Sequence, residues 1–94
     1  MNTVDIAMIT YGSADFIVAL LPSDFDQHSA EEKNNVLHAI QCSARSAKIH
    51  GRLIAVWEDG SGNRKTLSGP DVNPLCYLLS MRWVRRNLCS RLEI

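Results

Sequence analysis

The sequence has no net charge, because its ten lysines and arginines are matched by ten aspartates and glutamates. Dedicated nucleic-acid-binding domains are usually basic, so the composition argues against that class and leaves room only for a local basic surface. Long apolar runs are also absent. The longest, at residues 16–21 (FIVALL), is far shorter than the roughly 20 residues of a membrane-spanning helix. We therefore predict no membrane partner.

Cysteine is scarce, and Cys42, Cys76 and Cys89 are odd in number with no short repeated spacing. No basic segment precedes the first apolar residues, so no secretory signal is recognisable. These observations predict free thiols in the cytoplasm rather than a disulfide framework. His38 and Cys42 stand one helical turn apart, but zinc typically needs two such pairs. We therefore predict no metal site and no cofactor.

A long amphipathic helix is predicted from Ser29 to Gly51. Ser29 and Glu32 have capping-box spacing, and Gly51 suits the left-handed conformation that ends many helices. Between these ends the apolar residues recur every three or four positions, as in a helix that packs on a sheet. They are Val36, Leu37, Ile40, Ala44 and Ala47.

Four strands are predicted around this helix, at residues 3–11, 16–21, 52–57 and 64–67. The first alternates apolar and polar residues, as a half-buried strand does, whereas the second is apolar on both faces. The turn at residues 12–15 and the Asp-Gly loop that follows Glu58 each predict a hairpin. The last strand is polar, which is typical of a charged sheet edge.

A second helix is predicted from Pro74 to Leu88 or Leu92, because Asn73 is a good cap and proline suits the first helical position. The element order β-β-α-β-β-α indicates a single α+β domain at residues 1–94, an antiparallel sheet with both helices on one face. The alternative is that residues 87–94 are extended and add a C-terminal strand, to this chain or to a neighbouring subunit.

The strongest candidate binding group is Arg82, Arg85 and Arg86, with Trp83 and Tyr77 beside them. Arginines neutralise phosphates and aromatic rings stack on bases, so the group fits a nucleic-acid-binding regulator. The same arginines also suit salt bridges with acids. Up to Ala44 one basic residue faces six acidic ones, whereas the remaining chain has nine basic and four acidic residues.

Carboxylates on predicted loops are a weaker candidate, for a small enzyme. Asp24, Asp26, Glu58 and Asp59 lie where functional residues concentrate. No nucleophile or base partner accompanies them, and loop acids ordinarily form turns and caps. An enzyme is therefore less expected than a binding protein.

Self-association is the leading expectation, because a 94-residue chain buries only about 60–65% of its unfolded surface. Aromatic residues, methionine and arginine are enriched at interface centres. The candidate interface residues are Trp83, Met81, Leu92 and Ile94. We expect a homo-oligomeric, cytoplasmic module that binds a small molecule or a partner, with the nucleic-acid regulator as the alternative and the enzyme as a third reading.

Overall fold

The computed structural model describes residues 3–68 and 80–94, which form a five-stranded sheet with helices packed on it. Within these residues the strands are β1 (Thr3–Tyr11), β2 (Ala14–Leu20), β3 (Arg52–Glu58), β4 (Arg64–Ser68) and β5 (Leu88–Glu93). The helices are a 3-10 helix (Ser23–Gln27), α1 (Ala30–Ser46) and α2 (Met81–Arg86). The predicted α+β class is confirmed.

Both predicted hairpins form, within the strand order β4-β3-β2-β1-β5. Tyr11 lies opposite Ala14 across the β1–β2 turn, where Gly12 has a φ of 67° that favours glycine. Glu58 lies opposite Arg64 at the start of the β3–β4 hairpin. The short, polar β4 is the edge strand that its composition predicts.

The two hairpins are joined by a parallel pair, so the prediction of an antiparallel sheet is wrong. β3 runs parallel to β2, with Leu20 opposite Val56. A parallel pair needs a crossover connection of about a dozen residues or more, and α1 lies in the connection between these strands. Because the strands are parallel, their carboxyl ends meet at one edge of the sheet. The backbone N–H of Leu21 donates to the carbonyl of Val56 at 2.9 Å and extends the pairing beyond β2.

The helices lie on opposite faces of the sheet, not on one face as the sequence predicts. Alternate residues of a strand point to opposite faces. Ile17 of β2 packs in a buried cluster with Ile40 of α1, whereas its neighbour Val18 packs in a second cluster with Val84 of α2. We call these sides the α1 face and the α2 face.

Helix α1 begins at the predicted cap, where the Ser29 hydroxyl accepts a hydrogen bond from the backbone N–H of Glu32 at 3.1 Å. It ends at Ser46, before the predicted Gly51. Lys48 adopts a left-handed φ of 60°, and the Ile49 N–H bonds to the carbonyl of residue 44 at 2.8 Å. Lys48 therefore takes the left-handed position that glycine usually occupies at the end of a helix.

The C-terminal region corrects the prediction of one long helix. The first part of that helix, from Pro74 to residue 79, lies outside the described residues. Helix α2 begins after Ser80, whose hydroxyl accepts from the Trp83 N–H at 3.1 Å, and it ends at Arg86, with Asn87 as its C-cap. Residues 88–93 are extended and pair antiparallel with β1 of the same chain. The alternative of a C-terminal strand is therefore confirmed, with its own chain as partner.

Candidate functional site

A cleft of about 740 Å³ lies at the edge of the sheet where β2 and β3 end. Its walls come from the start of β1, the end of β2, the loop after β3 and helix α2, which places it on the α2 face. Four ionisable side chains line it: Asp5, Glu58, Asp59 and Arg85. The parallel pairing of β2 and β3 brings these distant segments together.

Glu58 and Arg85 form an ion pair at the wall of the cleft. Glu58 is the last residue of β3, and its Oε1 accepts a hydrogen bond from Nη2 of Arg85. The arginine side chain is 58% exposed, and exposed pairs of this kind stabilise a fold by only about 0–1 kcal/mol. The pair therefore contributes little to the stability of the fold.

Asp59 is held in place by its own loop. Its Oδ1 accepts the backbone N–H groups of Ser61 at 2.8 Å and Asn63 at 2.9 Å, an arrangement that closes the turn between β3 and β4. The N–H of Asn63, followed by that of Ser61 and the Lys65 ammonium, lowers the pKa of Asp59 below its usual value despite partial burial. Asp59 is therefore a fixed negative charge at neutral pH.

Asp26, on the 3-10 helix, forms a neighbouring cluster with Lys65 and Trp57 on the α1 face. Lys65 Nζ lies 2.9 Å from Asp26 and 3.8 Å from Asp59, and Trp57 Nε1 donates to Asp26 at 3.1 Å. The hydrogen bond from Lys65, and then that from Trp57, lowers the pKa of Asp26, and Asp26 raises the pKa of Lys65. These contacts attach the 3-10 helix to β3 and β4.

The fourth charge of the cleft, Asp5, lies on β1 and accepts a hydrogen bond from Arg91 Nε of β5 at 2.8 Å. Both side chains are exposed, at 41% and 67%. Because Asp5 faces the cleft from the side opposite the β3 loop, carboxylates approach the cleft from two walls. The cleft thus has three acidic groups and one basic group among its described lining residues.

The predicted binding residues are only partly brought together. All three arginines of α2 are exposed: Arg82, Arg85 and Arg86. Of these, Arg85 is the one that lines the cleft. It is also the one with an acidic partner, Glu58, among the described residues. Trp83 is half-buried against the cluster on the α2 face. Tyr77 lies outside the described residues.

The predicted interface residues do not form one surface. Leu92 is 3% exposed and packs with Ile94 on the α1 face, so it belongs to the core of its own chain. Met81 and Trp83 pack against the cluster on the α2 face, and Met81 also lines the cleft. A role of these residues in self-association stays a prediction.

His38 and Cys42 do meet on the exposed side of α1, with Nε2 and Sγ 3.6 Å apart. Among residues 3–68 and 80–94, no group of three or more histidine, cysteine or acidic side chains is arranged to hold a metal ion. The pair therefore stands as a local contact between two neighbouring turns of the helix.

The sequence singled out Glu58 and Asp59 as loop acids, but Glu58 is the last residue of β3, and neither Asp5 nor the pairing of Glu58 with Arg85 was predicted. One feature of the sequence did indicate parallel strands. Strands at residues 16–21 and 52–57 are apolar on both faces, which is typical of neighbouring parallel strands with helices on each side. Parallel strands would have placed Glu58 next to the residues that follow β2.

Comparison with protein-family models, with curated proteins and with solved structures gives no match to this chain. No helix within the described part of the chain is long and apolar enough to cross a membrane. A proposal about function must therefore be based on the cleft and its charged residues.

Proposed function

We propose that the protein is a binding module whose ligand is small, polar and positively charged, and that this ligand occupies the cleft at the carboxyl ends of β2 and β3. The observation that supports this proposal is the cleft itself, whose described lining includes the three acidic residues Asp5, Glu58 and Asp59 and one basic residue, Arg85. In open sheets with parallel strands, ligands bind outside the carboxyl ends of the strands.

The charge balance of the cleft supports a cationic ligand over an anionic one. Three carboxylates and one arginine are among the described lining residues, while Arg91 and Lys65, outside the lining, partner Asp5 and Asp59. An ammonium group can compete with these bases for the carboxylates, as it does with Arg85 for Glu58, whereas an anion finds only Arg85 as a cation among the described lining residues. Asp59 is fixed by its turn, so part of the site is organised before the ligand arrives. Because Asp59 is already held in place, less conformational entropy is lost at this position when a ligand binds.

The test is a titration of isotope-labelled protein with spermidine, followed by backbone amide NMR shifts. We expect shifts centred on Asp5, Glu58 and Asp59, and a loss of affinity of about tenfold in Glu58→Gln. Glu31→Gln removes the same charge from α1, away from the cleft, and is the matched control. Equal affinities in the two variants, or tighter binding of inorganic phosphate than of spermidine, contradict the proposal.

A second candidate is polyanion binding by helix α2. The supporting observation is that Arg82 and Arg86 are exposed and have no acidic partner in the described part of the chain, with the half-buried Trp83 between them in sequence. Fluorescence anisotropy with mixed RNA and DNA at low salt tests it, and Arg86→Ala should lower the affinity. Absence of binding by the unmodified protein removes this candidate.

We also propose that the protein self-associates and is cytoplasmic. Half-burial of Trp83 and Met81 at the surface of the α2 face supports an interface there, and the free thiols of Cys42 and Cys89 support a reducing compartment. Light scattering at micromolar concentration tests the assembly, which Trp83→Ala should weaken. A 10.5 kDa species under these conditions counts against it.

A further inference from the structure

One side of helix α1 carries polar residues at the spacing of a helix–helix seam. They follow one another at intervals of four, three, four and three residues, which is the spacing at which the helices of a coiled coil meet. All of them are exposed: Glu31, Asn35, His38, Cys42 and Arg45. Ile40 and Ala44, which bury α1 against the sheet, lie on the opposite side of the helix. We call the five exposed residues the polar stripe.

His38 and Cys42, at the centre of the polar stripe, are spaced as two ligands of one zinc ion. Their Nε2 and Sγ atoms lie 3.6 Å apart. Zinc bonds to sulfur at about 2.3 Å and to histidine nitrogen at about 2.0–2.1 Å, so two such ligand atoms of a tetrahedral site lie about 3.5 Å apart. A zinc ion can therefore bind both atoms with little movement of either side chain.

One chain supplies only half of a zinc site at this position. Structural zinc sites have four ligands, and within residues 3–68 and 80–94 no third histidine, cysteine or acidic side chain joins the pair. We propose that a zinc ion is bound between two copies of the chain, with Nε2 of His38 and Sγ of Cys42 from each copy as its four ligands. The two thiols release their protons to solvent on binding, so the two thiolates balance the charge of the ion.

The charges of the polar stripe favour an antiparallel arrangement of the two helices. Glu31 lies in the first turn of α1 and Arg45 in the last. When the two-fold axis passes between residues 38 and 42, Glu31 of each copy approaches Arg45 of the other, and each His38 faces a Cys42. A parallel pair places like charges opposite each other instead, which is unfavourable.

The polar stripe also predicts that the assembly depends on the metal. Its side chains bury little apolar surface on contact, so the hydrophobic effect provides little driving force for association through this side of α1. Binding of zinc by ligands from both copies supplies that driving force instead. The site lies away from the cleft and from the α2 face, so this proposal goes beyond the function proposed above.

The test is a titration of untagged, chelator-treated protein with zinc chloride, followed by light scattering. A phosphine reductant is present throughout, which excludes a disulfide between two Cys42 side chains. We expect the mass of the particle to double, with one zinc ion bound per two chains, and to return to its initial value when EDTA is added. No change in mass at saturating zinc, or one tightly bound ion per chain, overturns the proposal.

Substitutions locate the ligands. His38→Ala and Cys42→Ser each remove two of the four ligands of the site. Because changes around the ligands already weaken metal binding about 10–100-fold, loss of the ligands themselves should weaken zinc binding by at least about 100-fold. Cys89→Ser removes an exposed thiol of β5 and is the matched control, which should leave zinc binding and the doubling of mass unchanged. Equal zinc affinities of Cys42→Ser and Cys89→Ser refute the proposal.

Cobalt(II) reports the thiolate ligand directly, because a thiolate bound to cobalt gives a charge-transfer absorption band. We expect this band in the unmodified protein and in Cys89→Ser. Cys42→His keeps a zinc-binding side chain and should retain the zinc-dependent doubling of mass without the cobalt–thiolate band. A band that persists in Cys42→His contradicts the assignment of the ligand. Trp83→Ala and Glu58→Gln should leave the zinc-dependent doubling intact, so this proposal and the proposed function fail separately.

Discussion

Replacement of Phe25 by alanine tests whether the 3-10 helix is a fixed part of the core. Phe25 is 2% exposed and stacks on Trp57. It lies on the short segment that connects the carboxyl end of β2 to α1, and this segment also carries Asp26 with its ion pair to Lys65. If the ring is as well packed as this geometry indicates, its removal should destabilise the whole fold.

The expected magnitude is large for a domain of this size. Truncation of a buried phenylalanine to alanine costs about 3–5 kcal/mol, against a total stability of about 5–15 kcal/mol. We expect about 3 kcal/mol for Phe25, because a short 3-10 helix can partly close the space that the ring leaves. Each kcal/mol lowers the midpoint of thermal unfolding by about 4–8 °C in a domain of this size, so Tm should fall by at least about 12 °C.

Urea unfolding followed by circular dichroism measures the change, and the midpoint should fall by at least about 1 M. Met8→Ala is the control, because Met8 is a large hydrophobic residue that is 47% exposed and should change stability by no more than about 0.5 kcal/mol. If Phe25→Ala costs less than about 1 kcal/mol, the 3-10 helix is not docked on Trp57 as described.

Three further substitutions test other parts of the fold. Ser29→Ala removes the cap of α1 and should lower the free energy of unfolding by about 1 kcal/mol in urea titrations, whereas Ser29→Asp should retain most of it. Gly51→Ala should cost more than about 1 kcal/mol, because φ is 149° and the new Cβ meets a backbone oxygen at 3.1 Å, whereas Gly60→Ala meets nothing within 4 Å and should be tolerated. Asp26→Asn should flatten the acid side of the stability–pH profile. The pKa of Asp26 is lower in the folded protein than its usual 3.8, so its contribution is present above that value and is lost as the pH falls through the folded-state pKa. Lys65, whose pKa is raised from 10.5, contributes below that value and loses its contribution at higher pH.

Local signals in the sequence predict the elements better than their arrangement. The cap at Ser29 and the turns of both hairpins depend on a few adjacent residues, and all of them appear in the structure. The end of α1 was less predictable, since the left-handed residue is Lys48 rather than a glycine. Gly51 instead allows β3 to start close to Asp15, which is a tertiary requirement.

The C-terminal segment shows how a helical spacing can occur in a strand. Leu88 and Leu92 are four residues apart, which fits one face of a helix. In the structure both lie in β5, and a register shift opposite Ile6 and Ala7 places Leu88 against the α2 face and Leu92 on the α1 face. Helix α2 ends before Leu88, where the side chain and backbone of Asn87 both bond to the carbonyl of Trp83. Leu92 is then buried on the α1 face, where the helical pattern had suggested a residue free for contact with another subunit.

The position of the charged cleft follows from the parallel pairing of β2 and β3. Because the two strands run in the same direction, their carboxyl ends meet at one edge of the sheet, where Leu20 of β2 and Glu58 of β3 both line the cleft. The chain that leaves β2 passes through Leu21 and Pro22, which also line the cleft, and continues into the 3-10 helix. An antiparallel pairing of β2 and β3 would place the carboxyl end of β3 at the opposite edge of the sheet. The cleft was therefore not predictable until the direction of β3 was known.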